Sequence, residues 1–390
     1  MKLSFKLMLV LLVSGSLVKA QKVKVSKAFE SATKQTDLLI GHVDAARKSA
    51  PEKVSPRTVE KGKLKMVVSR DWTSGFFPAQ LWYYYEFTKD KKWLNLARRY
   101  TEDLKNEQFN KGTHDLGFMI YGPFGNGYRL TNDTAYRSVI IQAAASLSSR
   151  FNPTAGVIKS WDHNTDKWKY PVIIDNMMNL ELLFNATKLS GDSSFYKIAV
   201  SHADVTMKNH FRPDYSSWHV IDYDTNSGMA TQKHTHQGYS HESSWARGQA
   251  WALYGYTLCF RETNNTAYLE QADGIAQFIL THKATPADGV PYWDYNDPKI
   301  PAAPRDASAA AITASALYEL AKYSTEGKQY KAAADKILAS LSSKYTNKPG
   351  ENYGFILAHS TGHLPGNSEI DVPINYADYY YLEALLRSKQ

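Results

Sequence analysis

With a single cysteine, Cys259, in 390 residues, the chain has no internal disulfide available, so its stability must come from a packed core. After the first twenty residues no stretch is apolar for the length that a membrane span requires. Neither an arginine-rich run nor a long block of one charge sign is present, which sets nucleic-acid binding aside. Also missing are a phosphate-cradling glycine loop, a Gly-x-Ser-x-Gly elbow and a paired cysteine nucleophile. Two metal patterns fail on spacing. Asp222-Tyr-Asp-Thr-Asn-Ser-Gly228 imitates a calcium loop, but its glycine falls one position late and Lys233 stands where the closing glutamate belongs. His234, His236 and His241 lack the helical spacing of a zinc site, so neither a metal nor a cofactor is expected.

What is present begins with residues 1–20: Lys2 and Lys6 ahead of an apolar run and a small-residue Val18-Lys-Ala20 site, the pattern of a secretory signal peptide. The expectation is an exported protein of the bacterial periplasm, free of the membrane once the signal is removed, with residues 21–390 as one domain and a monomer or weak dimer as its state. The formal charge of +8 includes Lys2, Lys6 and Lys19 of that segment, so the remainder is only modestly basic. Aromatic residues reach 13%, with 26 tyrosines and 9 tryptophans, more than an ordinary core requires, and carbohydrate clefts are one outlet for the surplus.

A loose recurrence organises the chain. A polar loop is followed by an aromatic residue with a small or aliphatic one four positions on: Trp93/Ala97, Tyr136/Ile140, Phe195/Ala199, Tyr268/Ala272 and Tyr330/Ala334, with Phe29/Thr33 a looser sixth. That spacing puts each pair on one helix face. Between these openings lie more apolar helical patterns, near 74–89, 114–124, 174–190, 243–262, 306–325 and 375–388. Two alternating sets, about twelve helices without βαβ alternation, predict an all-α fold, an (α/α)6 barrel whose inner helices converge on a cavity. Short β pieces are expected near 161–169 and 218–224, and the proline-rich stretch 289–304 reads as a loop.

The chemistry concentrates at inner-helix starts. His234 to Trp251 combines imidazole, amide, guanidinium and two indoles; Trp245 and Trp251 can stack on pyranose faces and Arg247 offers a fork suited to a carboxylate. Asp115, in His114-Asp-Leu-Gly-Phe118, and Asp175, in Ile174-Asp-Asn-Met-Met-Asn179, are candidates for an acid and a base, although either could instead cap a helix. An acidic sugar is the expected guest.

These motifs, with Asp71-Trp-Thr-Ser-Gly-Phe-Phe-Pro78, His236-Gln-Gly-Tyr239, Ser244-Trp-Ala-Arg-Gly-Gln-Ala-Trp251 and Val372-Pro-Ile-Asn-Tyr-Ala-Asp-Tyr379, run in the order found in the unsaturated glucuronyl hydrolases of glycoside hydrolase family 88, which the chain resembles over nearly its whole length. One departure is Pro78-Ala79, close to where the family more often has a glycine. The resemblance implies an enzyme that removes a 4,5-unsaturated uronate left by a polysaccharide lyase. Asp175 matches the acid that protonates C4 and then acts as base toward the water adding at C5, and Asp115 matches the second essential carboxylate. His114, His210, Gln237, Trp245 and Arg247 match positions lining the terminal uronate subsite, and Trp72, Trp161 and Trp251 are candidate stacking surfaces. Some relatives recognise sulfate through a loop near the C-terminal end; here His359 to Ser368 offers hydroxyls, amides and imidazoles but no lysine. Three other readings stay open on sequence: an unsaturated rhamnogalacturonyl hydrolase acting on pectin fragments, a sugar epimerase using paired histidines on the same barrel, and a non-catalytic glycan-binding protein.

Overall fold

A computed structural model describes residues 23–390; the signal peptide expected at residues 1–20 lies outside the described residues. The elements run α1 (Val25–Ser49), β1 (Lys53–Glu60), β2 (Lys63–Val68), α2 (Phe76–Thr88), α3 (Lys91–Glu102), a 3-10 turn (Lys105–Phe109), a π-helix (Gly117–Gly125), α4 (Asn126–Thr131) and α5 (Thr134–Ser148). There follow β3 (Phe151–Asn152), β4 (Val157–Ile158), β5 (Pro171–Ile173), a 3-10 turn (Ile174–Asn179), α6 (Leu180–Ser190), α7 (Ser193–Asn209), β6 (Val220–Tyr223) and β7 (Ala230–His234). The last elements are α8 (Ala246–Thr263), α9 (Thr266–Thr281), α10 (Ala307–Leu320), α11 (Gly327–Lys344), a short 3-10 turn (Glu351–Gly354) and α12 (Asn375–Arg387).

Burial sorts these helices into two rings. Every residue of α10 is buried, as is α8 from Ala246 to Cys259 and α12 from Asn375 to Leu385, polar side chains such as Arg247, Asp378 and Glu383 included. By contrast α9 buries a stripe, Tyr268, Gln271, Ala272, Ile275, Ala276 and Ile279, and turns its remaining faces outward. The inner set closes on itself: α2 touches the π-helix, the π-helix touches α6 and the turn before it, that turn touches α8, and contact continues through α10 and α12 back to α2. This is the (α/α)6 barrel expected from the two alternating patterns.

The recurrence has a capping mechanism. Four inner helices end on a left-handed residue, Lys89, Asn132, Gly191 or Asn264, followed at once by the cap of the next outer helix, Asp90, Asp133, Asp192 or Asn265. Each cap accepts an N–H two residues on, at 2.8–3.1 Å. The aromatic residue comes one position later and is buried at Trp93, Tyr136, Phe195 and Tyr268. The serine or threonine ahead of the left-handed residue donates to the carbonyl four residues back, so hydroxyl and carboxylate together cover the helix ends.

Strand expectations hold in part. β6 matches the second piece and β7 and β5 join it in a three-stranded antiparallel sheet, but 161–169 is irregular and pairing starts only at Pro171. The β1–β2 hairpin had no strong alternating signature, and its register shifts at two places. Pro78 sits in the first turn of α2, where its missing N–H costs nothing. No helix among the described residues is long and apolar enough to cross a membrane.

Candidate active site

The residues that precede or open the inner helices gather at one end of the barrel around a cavity of about 460 Å³. Its lining includes Trp72, His114, Asp115, Trp161, Asp175, His236, Gln237, Arg247 and Tyr376. Chain segments far apart in sequence thus bring both candidate carboxylates to one space.

Asp175 follows β5 directly. The β5–β6 ladder pairs Ile173 with Val220, and one more bond, Ile174 N–H to His219 O at 3.1 Å, extends it, which sets His219 beside Asp175. His219 Nε2 lies 3.6 Å from Asp175 Oδ2, just beyond hydrogen-bond length, and both atoms are buried without a partner. The far side of the imidazole fixes its tautomer: Nδ1 receives the backbone N–H groups of His236 (3.1 Å) and Gln237 (3.2 Å). Nδ1 must therefore be the acceptor and Nε2 the protonated nitrogen that faces the carboxyl. Burial, His236 and Arg247 hold the imidazole pKa well below its ordinary value, so it stays neutral.

The two carboxylates differ in environment. Burial pushes Asp175 up to about 6; His114 and Arg247 oppose the rise and the charge of Asp115 adds to it. Burial acts on Asp115 in the same direction, but the His114 imidazole, the Thr113 hydroxyl and Arg150 outweigh it, and this carboxyl lies below the usual range. The contacts are Thr113 Oγ1 to Asp115 Oδ2 at 2.7 Å and His114 Nε2 to Asp115 Oδ1 at 3.2 Å. Neighbouring groups held at opposite protonation states are what acid–base chemistry at moderate pH requires.

Arg247 lines the cavity with both terminal nitrogens engaged and its Nε buried without a partner. Nη1 donates to Asp306 Oδ2 (3.0 Å) and Thr361 O (2.7 Å), and Nη2 to Gly362 O (2.6 Å). Asp306 in turn caps α10 through Ser308 N and Ala309 N. The guanidinium therefore ties a helix start to the 361–362 loop while its Nε keeps a free donor. Arg57 is similarly engaged, by Asp71 and by both oxygens of Glu369. Arg70, exposed at the mouth, makes no ion pair among the described residues.

Placement separates the remaining sequence candidates. Trp72 and Trp161 line the cavity; Trp161 stacks on His163 with ring centres 5.3 Å apart. Trp245 and Trp251 do not, so their predicted sugar-stacking surfaces face protein instead: Trp245 packs behind the site on His219 (4.6 Å) and under Arg247 (4.5 Å), and Trp251 sits among Phe118, Tyr376 and Tyr380. Both are shielded because inner-helix starts carry more aromatic surface than the cavity can expose. His210 also lies outside the lining; it ends α7, with Nδ1 3.4 Å from the Trp218 carbonyl and burial pushing its pKa down to about 3. Gln237 lines the cavity and donates to Gly362 O at 3.2 Å. His219 and Tyr376 are the residues that sequence reasoning passed over. The one local signal for His219 was its place at the head of the short β piece near 218–224.

The decoy motifs have structural occupations. His234 stacks on His241 at 4.1 Å and accepts from Trp168 Nε1, and Asp224 closes the β6–β7 turn by accepting from Asn226 N and Ser227 N.

Residues 44–386 match the model of the family described as Glycosyl Hydrolase Family 88. An unsaturated glucuronyl hydrolase of Formosa agariphila is 49% identical over 374 residues, covering 95% of this chain and 92% of that one. An unsaturated chondroitin disaccharide hydrolase of Streptococcus agalactiae serotype III is 33% identical over 373 residues, with 94% and 92% covered. Among solved structures, an unsaturated glucuronyl hydrolase specific for heparin superposes with a TM-score of 0.88 at 48% identity, covering 93% of this chain and 96% of its own.

Proposed function

The chain belongs to glycosyl hydrolase family 88, and we propose that it hydrolyses the 4,5-unsaturated glucuronyl residue from the non-reducing end of lyase-generated glycosaminoglycan or related uronate oligosaccharides. The observation that carries this reading is the pairing, in one cavity, of a buried Asp175 carboxyl pushed up to about 6 with an Asp115 carboxyl held low.

Protonated Asp175 delivers its proton to C4 of the enol ether, and positive charge develops at C5 and the ring oxygen. Ionised Asp115 lines the same cavity and stabilises that charge. The Asp175 carboxylate then takes a proton from water as the water oxygen bonds to C5, which regenerates the acid. The hemiketal opens and releases the remaining oligosaccharide, so no bond to the anomeric carbon is attacked directly. Neutral His219 aims its Nε2–H at Asp175 Oδ2, which leaves Oδ1 as the oxygen that carries the transferable proton. Trp72, Trp161 and Tyr376 supply faces for the sugar rings, and Arg70 and the free Nε of Arg247 are the guanidinium donors left to meet an anionic substrate.

The relatives described above are named for glucuronyl or chondroitin disaccharide substrates, which favours this reading over pectin-derived rhamnogalacturonyl substrates. An enzyme specific for heparin at 48% identity puts unsaturated heparin disaccharides first in the assay, followed by those of chondroitin, hyaluronan and ulvan. The test is loss of ultraviolet absorbance from the conjugated double bond. Loss that Asp175→Asn abolishes supports the reading; absorbance unchanged on all four, or loss independent of Asp175, overturns it. The signal-like residues 1–20 support export to the periplasm, where such oligosaccharides would arrive from outside the cell.

A further inference from the structure

Both carboxylates stand at the head of an irregular helical segment, and one side chain joins the two segments. Asn179 closes the 3-10 turn that carries Asp175 as its second residue. Its Oδ1 accepts the N–H of Gly117 at 2.8 Å and of Phe118 at 3.3 Å, the first amides of the π-helix that follows Asp115. A helix start leaves such amides without internal partners. No side chain at the π-helix's own cap position supplies a bond, so the cap comes from the other carboxylate's segment.

The approach is close enough to demand glycine. A Cβ on Gly117 would fall 2.6 Å from Asn179 Oδ1 and 2.7 Å from Asn179 Cα. Asn179 is fully buried and its Nδ2 has no partner, so the amide is retained at the cost of an unsatisfied donor. Aspartate would satisfy both amides without leaving a donor orphaned, but it would put a third carboxylate beside Asp115 and Asp175. Asparagine gives the acceptor without the charge. Asn176 anchors the same turn from the other side through Ile158 O at 2.9 Å, so the Asp175 segment is a fixed platform against which Asn179 holds the Asp115 segment.

We propose that Asn179 is a positioning residue for the hydration reaction: its carboxamide oxygen sets the separation of Asp115 and Asp175 and so sets how strongly one charge bears on the other's ionisation. The proposal rests on the reading of those two aspartates as the reacting pair. It makes the acceptor, rather than the bulk of the residue, the functional part.

The experiment compares Asn179→Ala and Asn179→Asp with the wild type on unsaturated disaccharide, with Asp175→Asn assayed alongside and each protein's folding checked by circular dichroism. In Asn179→Ala the segments relax apart and water enters, so kcat falls by roughly tenfold or more with KM little changed. The alkaline limb of kcat/KM moves to lower pH. Asn179→Asp keeps the acceptor and adds charge, so it recovers part of kcat and moves that limb to higher pH. Opposite movements of the limb are not produced by loss of stability alone. Wild-type kcat and pH profile in Asn179→Ala, or limbs moving the same way in both variants, overturn the proposal. If the alanine variant does not fold, the limb of Asn179→Asp decides: a shift upward supports the proposal and none overturns it. Activity retained by Asp175→Asn would instead remove the underlying reading of the aspartate pair.

Discussion

His219 presents Nε2 to Asp175 Oδ2 across 3.6 Å because two backbone amides, those of His236 and Gln237, already occupy its Nδ1. The loop that follows β7 thereby sets the proton position on an imidazole that reaches the carboxyl from β6. The relationship gives different predictions for the buried histidines of this end of the barrel.

His219→Ala removes the N–H facing Asp175 and an acceptor for two amides. We expect kcat on unsaturated disaccharide to fall by about two orders of magnitude. His210→Asn alters a residue outside the cavity lining, and its kcat stays within a few-fold while the melting temperature drops. Equal losses of kcat in the two variants would contradict the placement.

The pH dependence follows from Asp175. The acid must be protonated to act, so kcat/KM should decline as pH rises through about 6. No loss in that region is expected from Asp115, whose carboxyl titrates below the usual range. A profile flat from pH 5 to 8 would contradict the assignment, the interval being roughly that over which a single group near 6 changes its protonation.

Stability should fall over the same rise in pH. The Asp175 carboxyl is raised in the folded state, so the folded protein holds its proton more tightly than the unfolded chain does. Its ionisation costs stability progressively between the ordinary carboxylate pKa and about 6, and the full penalty applies above that. Asp175→Asn should therefore raise stability at pH 8 by about 1–3 kcal/mol and leave it nearly unchanged at pH 4, as measured by denaturant unfolding.

Arg247→Ala leaves Asp306 charged and buried, and strips the partner from two loop carbonyls. A loss of about 3–5 kcal/mol is expected, with activity lost as the 361–362 loop moves. Arg247→Lys keeps the charge but not the fork, and should recover only part of that stability.

Trp161→Ala tests the cavity wall. It should raise KM for disaccharides by about tenfold with a smaller change in kcat, as expected when a stacking face is removed from a bound ring. Trp245→Ala should act chiefly through folding, because that ring packs on His219 and Arg247 rather than on the cavity.

The barrel was legible because its two rings differ in local pattern: helices rich in small and aromatic residues inside, and helices with one buried stripe and an Asp or Asn cap outside. Asp115 and Asp175 were legible as isolated carboxylates within apolar segments at helix starts, and their motifs carried the family. Sequence went astray at the Trp245 and Trp251 indoles, which lie outside the cavity lining, and for Arg247 it missed how much of the fork protein partners take. In the folded chain the same groups serve one another: Arg247 lies over Trp245 and is bound by Asp306. Composition near a site does not say which atoms remain unpaired.

The sequence by itself thus determined the architecture and the family and pointed to the two aspartates, since helix periodicity and capping are local and motif order survives without coordinates. Only the tertiary structure decided that His219 rather than His210 meets Asp175, that Asn179 caps the helix after Asp115, and that one carboxyl is raised while the other is lowered. Protonation and tautomer depend on desolvation and on partners delivered by strands and turns remote in sequence, and no local spacing encodes those.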